Sequence, residues 1–127
     1  MKQKISSPQA PAAIGPYSQA VKAGNLLFVS GQLPRDTATG KLVEGGIGAQ
    51  THQTLDHIAA ILAAAHMTLD HVVSVTIYLR DLNDFSAVND AYATRFTSAI
   101  QPSRATVQVA RLPLDSPLEI SCIAALS

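Results

Sequence analysis

Two side chains near the end of the chain are the strongest candidates for chemistry. Arg104 opens a predicted strand directly after Pro102-Ser103, and its planar guanidinium matches a carboxylate through two parallel hydrogen bonds. The chain holds only two glutamates, and one of them, Glu119, lies inside a predicted strand, where glutamate is disfavoured. Each residue also has an ordinary interpretation. Arg104 could be an exposed arginine at a strand end, and Glu119 could be an exposed strand residue or half of an ion pair. The functional and the ordinary interpretations both stay open.

The residues alone do not bring Arg104 and Glu119 together. If the last two predicted strands form a symmetric hairpin centred on Leu114, Glu119 lies opposite Val109 and Arg104 lies opposite Ala124. The two side chains would then be about five residues apart along the strands, which is roughly 17 Å. A direct ion pair between them is therefore not predicted.

Other candidate motifs are weak. The histidines are spaced by five, nine and five residues, so no HxxxH or HExxH pair is present and no metal site is predicted. They are His52, His57, His66 and His71. The glycines of residues 45–48 precede a predicted helix but lack the Lys-Ser/Thr of a phosphate loop. The single cysteine, Cys122, alternates with apolar residues, which predicts a small buried side chain.

An irregular arm near the start of the chain is followed by a short apolar strand. Two prolines and a glycine exclude a helix over residues 10–20, so this stretch is predicted to be an extended arm that delivers Tyr17 to a fixed place. Residues 27–34 (Leu-Phe-Val-Ser-Gly-Gln-Leu-Pro) form an apolar strand that ends in a polar turn. Together these segments resemble the RidA family of small reactive-imine deaminases, also called the YjgF group. The resemblance continues through Leu82-Asn83-Asp84-Phe85, Asn89, Arg104, Val109-Ala110-Arg111-Leu112-Pro113 and Glu119.

The RidA resemblance implies roles for seven residues. Arg104 falls on the arginine that grips the substrate carboxylate, and Glu119 falls on the glutamate that holds the attacking water. Gly31 matches a site where the backbone approaches the ligand. Thr106 stands where the family often has cysteine, so a thiol nucleophile is excluded there, while its backbone groups would orient the departing nitrogen. Three further residues match polar positions that line the family's pocket: Tyr17, Ser30 and Asn89.

The resemblance implies an enzyme that deaminates short 2-imino acids. Its substrates would be 2-iminopropanoate and 2-iminobutanoate, its products would be 2-keto acids and ammonia, and it would need no cofactor. Two other classes stay open. One is a trimer that binds keto acids without significant turnover. The other is a ribonuclease or translation inhibitor, against which the zero net charge and the scarcity of aromatic residues argue.

The remaining patterns predict the elements that position these residues. Apolar residues at helical spacing predict a helix over about 47–66 and a second one after residues 83–84. Strands are predicted over 18–23, 26–30, 71–80, 104–110 and 118–126. The order is β-β-α-β-α-β-β, an α+β fold with one mixed sheet and two helices on one face. The resemblance makes this fold chorismate-mutase-like, with a single domain over residues 1–127.

The predicted sheet has apolar residues on both faces. In the central strand, Val72 and Tyr78 are predicted to lie opposite a row of aliphatic residues, namely Val73, Val75, Ile77 and Leu79. In the last strand, Ile123 and Ala125 likewise lie opposite the main apolar row. Because two helices cover only one face, the other face needs a partner. The resemblance implies a homotrimer whose sheets form a central barrel with the helices outside.

Composition narrows the function classes further. The chain has 127 residues, of which 47% are hydrophobic, and it carries nine basic and nine acidic residues. This balance argues against a nucleic-acid surface. The chain has no apolar run of the roughly 20 residues that a membrane span needs, and no signal peptide is recognisable at its start. A cytoplasmic protein with small-molecule ligands is therefore predicted.

Overall fold

Six strands form one mixed sheet in the computed structural model, which describes residues 1–126. The strands are β1 (Lys2–Ile5), β2 (Ala20–Ala23), β3 (Leu26–Gln32), β4 (Val72–Leu79), β5 (Ser103–Gln108) and β6 (Leu118–Ala125). Their order across the sheet is β1-β2-β3-β6-β4-β5, and only β4 and β5 run parallel. The two α-helices are α1 (Gly46–Ala64) and α2 (Phe85–Arg95). The predicted α+β architecture with two helices is confirmed.

The core lies between the helices and one face of the sheet. Strand β6 alternates strictly, and its inward residues Leu118, Ile120 and Ala124 are fully buried. They pack in one cluster with Leu55 and Ile58 of α1. Among residues 1–126, no helix combines the length and the apolarity that a membrane crossing requires.

Cys122 belongs to the same inward row of β6. It is buried among apolar neighbours and forms no disulfide. Because burial disfavours the thiolate, the pKa of the Cys122 thiol is raised to about 12. The thiol therefore stays protonated near neutral pH and serves as a packing group.

The other face of the sheet carries exposed apolar side chains. Phe28 of β3 is 43% exposed and is the cross-strand partner of Ile123 on β6. Val107 of β5 is also 43% exposed and is the partner of Tyr78 on β4. We call this surface the open face. The open face is partly apolar, and no other layer of the described chain covers it.

Two local predictions fail for identifiable reasons. Strand β1 is missing from the predicted order because Lys2, Gln3 and Lys4 are exposed edge residues, so only Ile5 carries an apolar signal. Val73 was predicted on the core face of β4, but it is exposed, whereas the preceding valine is buried. The ladder between β4 and β6 has a register shift at this point, and the extra residue reverses the alternation.

The last two strands do not form a hairpin with each other. Strand β5 does not pair with β6; it pairs in parallel with β4, and β6 lies between β3 and β4. A parallel pair needs a crossover connection, and α2 supplies it between β4 and β5. Strand β4 therefore separates Arg104 from Glu119.

Candidate functional site

Glu119 lies on the open face of β6, directly beside the backbone of β3. A Cβ added to Gly31 would lie 2.5 Å from Glu119 Oε2 and 2.6 Å from its Cδ. A Cβ here would require the Glu119 side chain to shift, because real Cβ contacts are essentially never this close. The glycine therefore makes room for the carboxylate of Glu119.

The Glu119 carboxylate has no ionic or hydrogen-bonding partner among residues 1–126. It is half-buried, and this partial desolvation raises its pKa above the ordinary value of 4.5. A carboxylate that is partly desolvated and unpaired is a stronger base than one held in an ion pair. Glu119 is thus suited to accept a proton.

Tyr17 reaches the same region from the arm that precedes β2. Glu119, Gly31 and Tyr17 together line a cavity of about 330 Å³, which is within the range of small-ligand sites. The tyrosine ring is half exposed, and its hydroxyl accepts a long hydrogen bond of 3.4 Å from the backbone N–H of Ile14. We call this pocket the Glu119 cavity.

Gln19 holds the arm in place, and sequence reasoning missed it. Its buried Oε1 accepts a 2.7 Å hydrogen bond from the Ser7 N–H, and its Nε2 donates a 2.8 Å bond to the Pro11 carbonyl. Irregular backbone has no ladder of its own, so a buried amide supplies its hydrogen bonds. The sequence signal that could have identified Gln19 is its place two residues after Tyr17, at the end of a proline-containing arm that needs hydrogen-bond partners.

Ser30 ties the strand to the arm. Its hydroxyl donates a 2.7 Å hydrogen bond to the Ser18 carbonyl, and its backbone N–H bonds the Gln19 carbonyl at 2.9 Å. Ser30 does not line the Glu119 cavity. In this structure it fixes the backbone on which Tyr17 and Gly31 are carried.

Arg104 lies in a second cluster, on α2 and the edge strand β5. Its Nη1 donates a 2.8 Å hydrogen bond to Asn89 Oδ1. The guanidinium carbon lies 4.7 Å from the ring centre of Tyr92 and 5.6 Å from that of Phe85. These aromatic faces attract the cation and orient it, so the remaining guanidinium donors can face a ligand.

Thr106 belongs to the Arg104 side of the sheet. Its Oγ1 is buried without a hydrogen-bond partner, as is the hydroxyl of Tyr92. Burial also raises the pKa of the Tyr92 phenol. Tyr92 packs in the core from α2, and the sequence analysis missed its contact with Arg104. That contact requires the crossover geometry and leaves no signal in the helix pattern.

The two clusters lie on opposite faces of the sheet. Arg104 is the cross-strand partner of Val75, whose side chain is in the core under the helices. Glu119 is the partner of Tyr78 on the open face. Because directly paired residues project from the same face, Arg104 and Glu119 point in opposite directions. One chain therefore carries two separate half-sites.

Metal-binding groups do not complete either cluster. Within residues 1–126, no three His, Cys, Asp or Glu side chains lie close enough together to hold a metal ion. The chemistry that these residues can support is hydrogen bonding, carboxylate recognition and proton transfer.

Comparison with known proteins adds the family. The profile of the family described as Endoribonuclease L-PSP matches residues 7–126. The chain belongs to this family. Its relatives include a protein named Reactive Intermediate Deaminase A and proteins named 2-iminobutanoate/2-iminopropanoate deaminase, which confirms the RidA resemblance. The family description itself names a ribonuclease, whereas several relatives are named as deaminases.

Three relatives illustrate the similarity. The 2-iminobutanoate/2-iminopropanoate deaminase of Escherichia coli K12 is 44% identical, with 98% of each chain covered. Reactive Intermediate Deaminase A, chloroplastic, of Arabidopsis thaliana is 49% identical over 98% of this chain and 66% of its own length. A crystal structure of E. coli TdcF with bound serine superposes with a TM-score of 0.93 at 39% identity, covering 98% of this chain and 99% of the other.

The contact between Gly31 and Glu119 leads to a first prediction. We expect Gly31→Ala to displace the Glu119 side chain, since the new methyl group would overlap its carboxylate. Misplacing a reacting group by about 1 Å can cost on the order of 100-fold in rate. If Glu119 acts as a base, we expect a loss of this order in kcat, measured as product release, with the fold retained because a flexible side chain can move.

Gly48→Ala is the matched control for this substitution. Nothing lies within 4 Å of a Cβ added at Gly48, which is in α1. Alanine there should leave activity unchanged and, because Gly48 is in the first turn of α1, stabilise the helix by no more than the roughly 0.5–1 kcal/mol typical of a mid-helix glycine. Normal activity of a folded Gly31→Ala protein would show that Glu119 does not need its observed position.

Proposed function

We propose that this protein hydrolyses short 2-imino acids, 2-iminopropanoate and 2-iminobutanoate, to 2-keto acids and ammonia. The observation that carries the proposal is Glu119, a half-buried, unpaired carboxylate with a raised pKa beside a small-ligand cavity. Deaminase names among relatives at 44–49% identity support the same reaction.

Arg104 would bind the substrate carboxylate. Its guanidinium can form two parallel hydrogen bonds to the carboxylate oxygens, and its charge would draw electrons from the adjacent C=N carbon. Tyr17 and the backbone at Gly31 would close the pocket around the substrate. Holding both reactants in place lowers the barrier by pre-organisation.

Water would add to the imine carbon with Glu119 as the base. Glu119 would accept a proton from the water while the C–O bond forms and the C=N bond becomes single. Proton transfer to the nitrogen then makes it a leaving group. The C–N bond would break as the hydroxyl loses its proton, so one imine and one water give one keto acid and one ammonia. Backbone groups near Thr106 would orient the departing nitrogen.

The reaction needs Arg104 and Glu119 from different chains. A single chain directs them to opposite faces, so a neighbouring subunit must supply one of them. The edge strand β5 and the open face provide surfaces through which such neighbours could pack. The arrangement we propose is a homotrimer with its sheets in a central barrel and three sites between subunits.

Assembly is directly measurable. We expect sedimentation at low micromolar concentration to show one species near three times 13.3 kDa, because the open face exposes Phe28 and Val107 in the isolated chain. A well-folded monomer under these conditions would contradict the trimer and, with it, a site shared between chains.

The decisive experiment for function is direct hydrolysis. The two imines can be generated in situ by a dehydratase that acts on serine or threonine, and the release of ammonia and keto acid is compared with and without the protein. Acceleration supports the deaminase. Binding of keto acids without acceleration would instead favour a binding protein, a role that the bound serine in E. coli TdcF makes worth testing.

The pH profile offers a separate test of Glu119. Its pKa is raised by burial, and only the ionised form accepts a proton, so kcat/KM should fall as pH decreases through that raised value. The acid limb should therefore lie above 4.5, the ordinary glutamate value. After subtraction of uncatalysed hydrolysis, Glu119→Gln should lose this limb. An unchanged limb in the variant would assign it to another group.

A further inference from the structure

A second arginine, Arg35, lines the Glu119 cavity. It follows β3 and shares the cavity wall with Tyr17, Gly31 and Glu119. Its side chain is partly buried, and the RidA resemblance gave it no role. The cavity therefore carries a cation of its own, besides any cation that a neighbouring chain supplies.

Arg35 is held firmly by its own loop. Its Nε donates a 3.1 Å hydrogen bond to the Gly40 carbonyl, and the residue forms an antiparallel bridge with Leu42. The carbonyl of Arg35 lies 2.6 Å from Nε2 of the buried His57 on α1. Backbone and side chain are thus both fixed, which reduces the entropy that binding a ligand would cost.

No carboxylate neutralises Arg35. Among residues 1–126, no acidic oxygen lies within 4 Å of its guanidinium, although Glu119 shares the same cavity. The adjacent Asp36 uses its Oδ1 to accept hydrogen bonds from the Ala38 and Thr39 N–H groups at 2.8 and 2.9 Å. The terminal nitrogens Nη1 and Nη2 of Arg35 donate to no residue of this described part of the chain. A fixed, partly buried guanidinium with free donors is suited to an anionic ligand.

We propose that Arg35 binds a second, distal carboxylate, so that among longer substrates this protein prefers a 2-imino dicarboxylic acid to the monocarboxylic acid of the same chain length. The inference rests on the proposed deaminase function. The substrate's first carboxylate would bind Arg104 of a neighbouring chain, the imine carbon would lie at Glu119, and the far carboxylate would bind Arg35. The apolar arm residues Pro11 and Ile14, which also line the cavity, would contact the methylene chain between them.

Binding of stable keto acids tests the subsite without turnover. 2-Oxoglutarate and 2-oxopentanoate have the same five-carbon chain and differ in the distal carboxylate. We expect calorimetry to show that the intact protein binds 2-oxoglutarate about tenfold or more tightly than 2-oxopentanoate. The reason is that one charge-assisted hydrogen bond to Arg35 contributes an affinity difference of about this size. Equal affinities, or no measurable binding of 2-oxoglutarate, would overturn the proposal.

Variants of the loop assign the preference to one residue. Arg35→Gln should remove the tenfold preference, and Arg35→Lys should keep part of it because the charge remains. Lys41→Gln removes the same charge from an exposed residue of the same loop and should leave the preference intact. A preference that survives in folded Arg35→Gln, or that disappears in Lys41→Gln, would contradict a specific contact.

Turnover separates failure of this inference from failure of the proposed function. The imines of glutamate and norvaline can be generated in situ by amino-acid oxidases, and their kcat/KM values are compared as a ratio. A ratio that favours the dicarboxylic imine and falls about tenfold in Arg35→Gln supports the inference. Hydrolysis of both imines with a ratio unaffected by Arg35→Gln would leave the deaminase standing and overturn the subsite. Hydrolysis of 2-iminopropanoate but of neither five-carbon imine would also overturn the subsite, whereas hydrolysis of none of the three would overturn the deaminase.

Discussion

Replacing Arg104 by alanine is expected to lower kcat/KM for 2-iminopropanoate by roughly 30-fold to several-thousand-fold, because a lost charged bidentate contact costs about 2–5 kcal/mol. Arg104 is exposed and is oriented by the amide of Asn89 and the ring of Tyr92, so alanine removes the cation without truncating a core side chain. Ammonia release measures the loss, and sedimentation shows whether assembly persists.

Two further variants test what Arg104 contributes. Arg104→Lys should recover little activity, because an ammonium does not reproduce the planar fork. Arg111→Ala removes an exposed arginine that makes no hydrogen bond or ion pair in the described chain, and we expect it to retain most activity. An assembled Arg104→Ala protein with near-normal hydrolysis would refute the proposed carboxylate contact.

Mixing two inactive variants should restore activity. Glu119→Gln is expected to lose turnover more than substrate binding, since the residue would act on water. If Arg104 and Glu119 act across an interface, rings made from equal amounts of Arg104→Ala and Glu119→Gln chains contain sites with both residues intact. Random assembly forms such a site at about one quarter of the interfaces in a closed ring. We therefore expect co-expression to give about a quarter of wild-type kcat.

The reason for this expectation is the orientation of the two residues in one chain. Each variant chain has one damaged half-site and one intact half-site, on opposite faces of the sheet. The double variant, with both substitutions in every chain, is the matched control and should stay inactive. Purification through two different tags shows that the rings contain both chains. If such mixed rings also stay inactive, the two residues act in the site of a single chain.

The sequence predicts the elements better than their arrangement. Alternation in residues 118–126 identifies β6 and its buried face, because a two-residue period survives in any sheet. The exposed edge residues Lys2–Lys4 give no such signal, so β1 is missed. The bulge at Val73 and the parallel pairing of β5 are also missed, because both depend on contacts between distant segments.

The same distinction applies to the candidate site. The family resemblance identifies Arg104, Glu119, Gly31 and Tyr17, but the sequence does not reveal that they form two groups. That separation follows from the position of β4 between β5 and β6. Arg35 has no family signal at all, and its significance emerges only because the folded loop places it in the wall of the Glu119 cavity.

The buried thiol of Cys122 bears on how this protein would withstand oxidants. It is the only sulfhydryl in the sequence. Peroxide and alkylating agents react with accessible thiolates, while Cys122 is protonated and enclosed by the core. The chain thus offers these reagents no cysteine at its surface, and the proposed hydrolysis would continue under conditions that inactivate thiol-dependent enzymes.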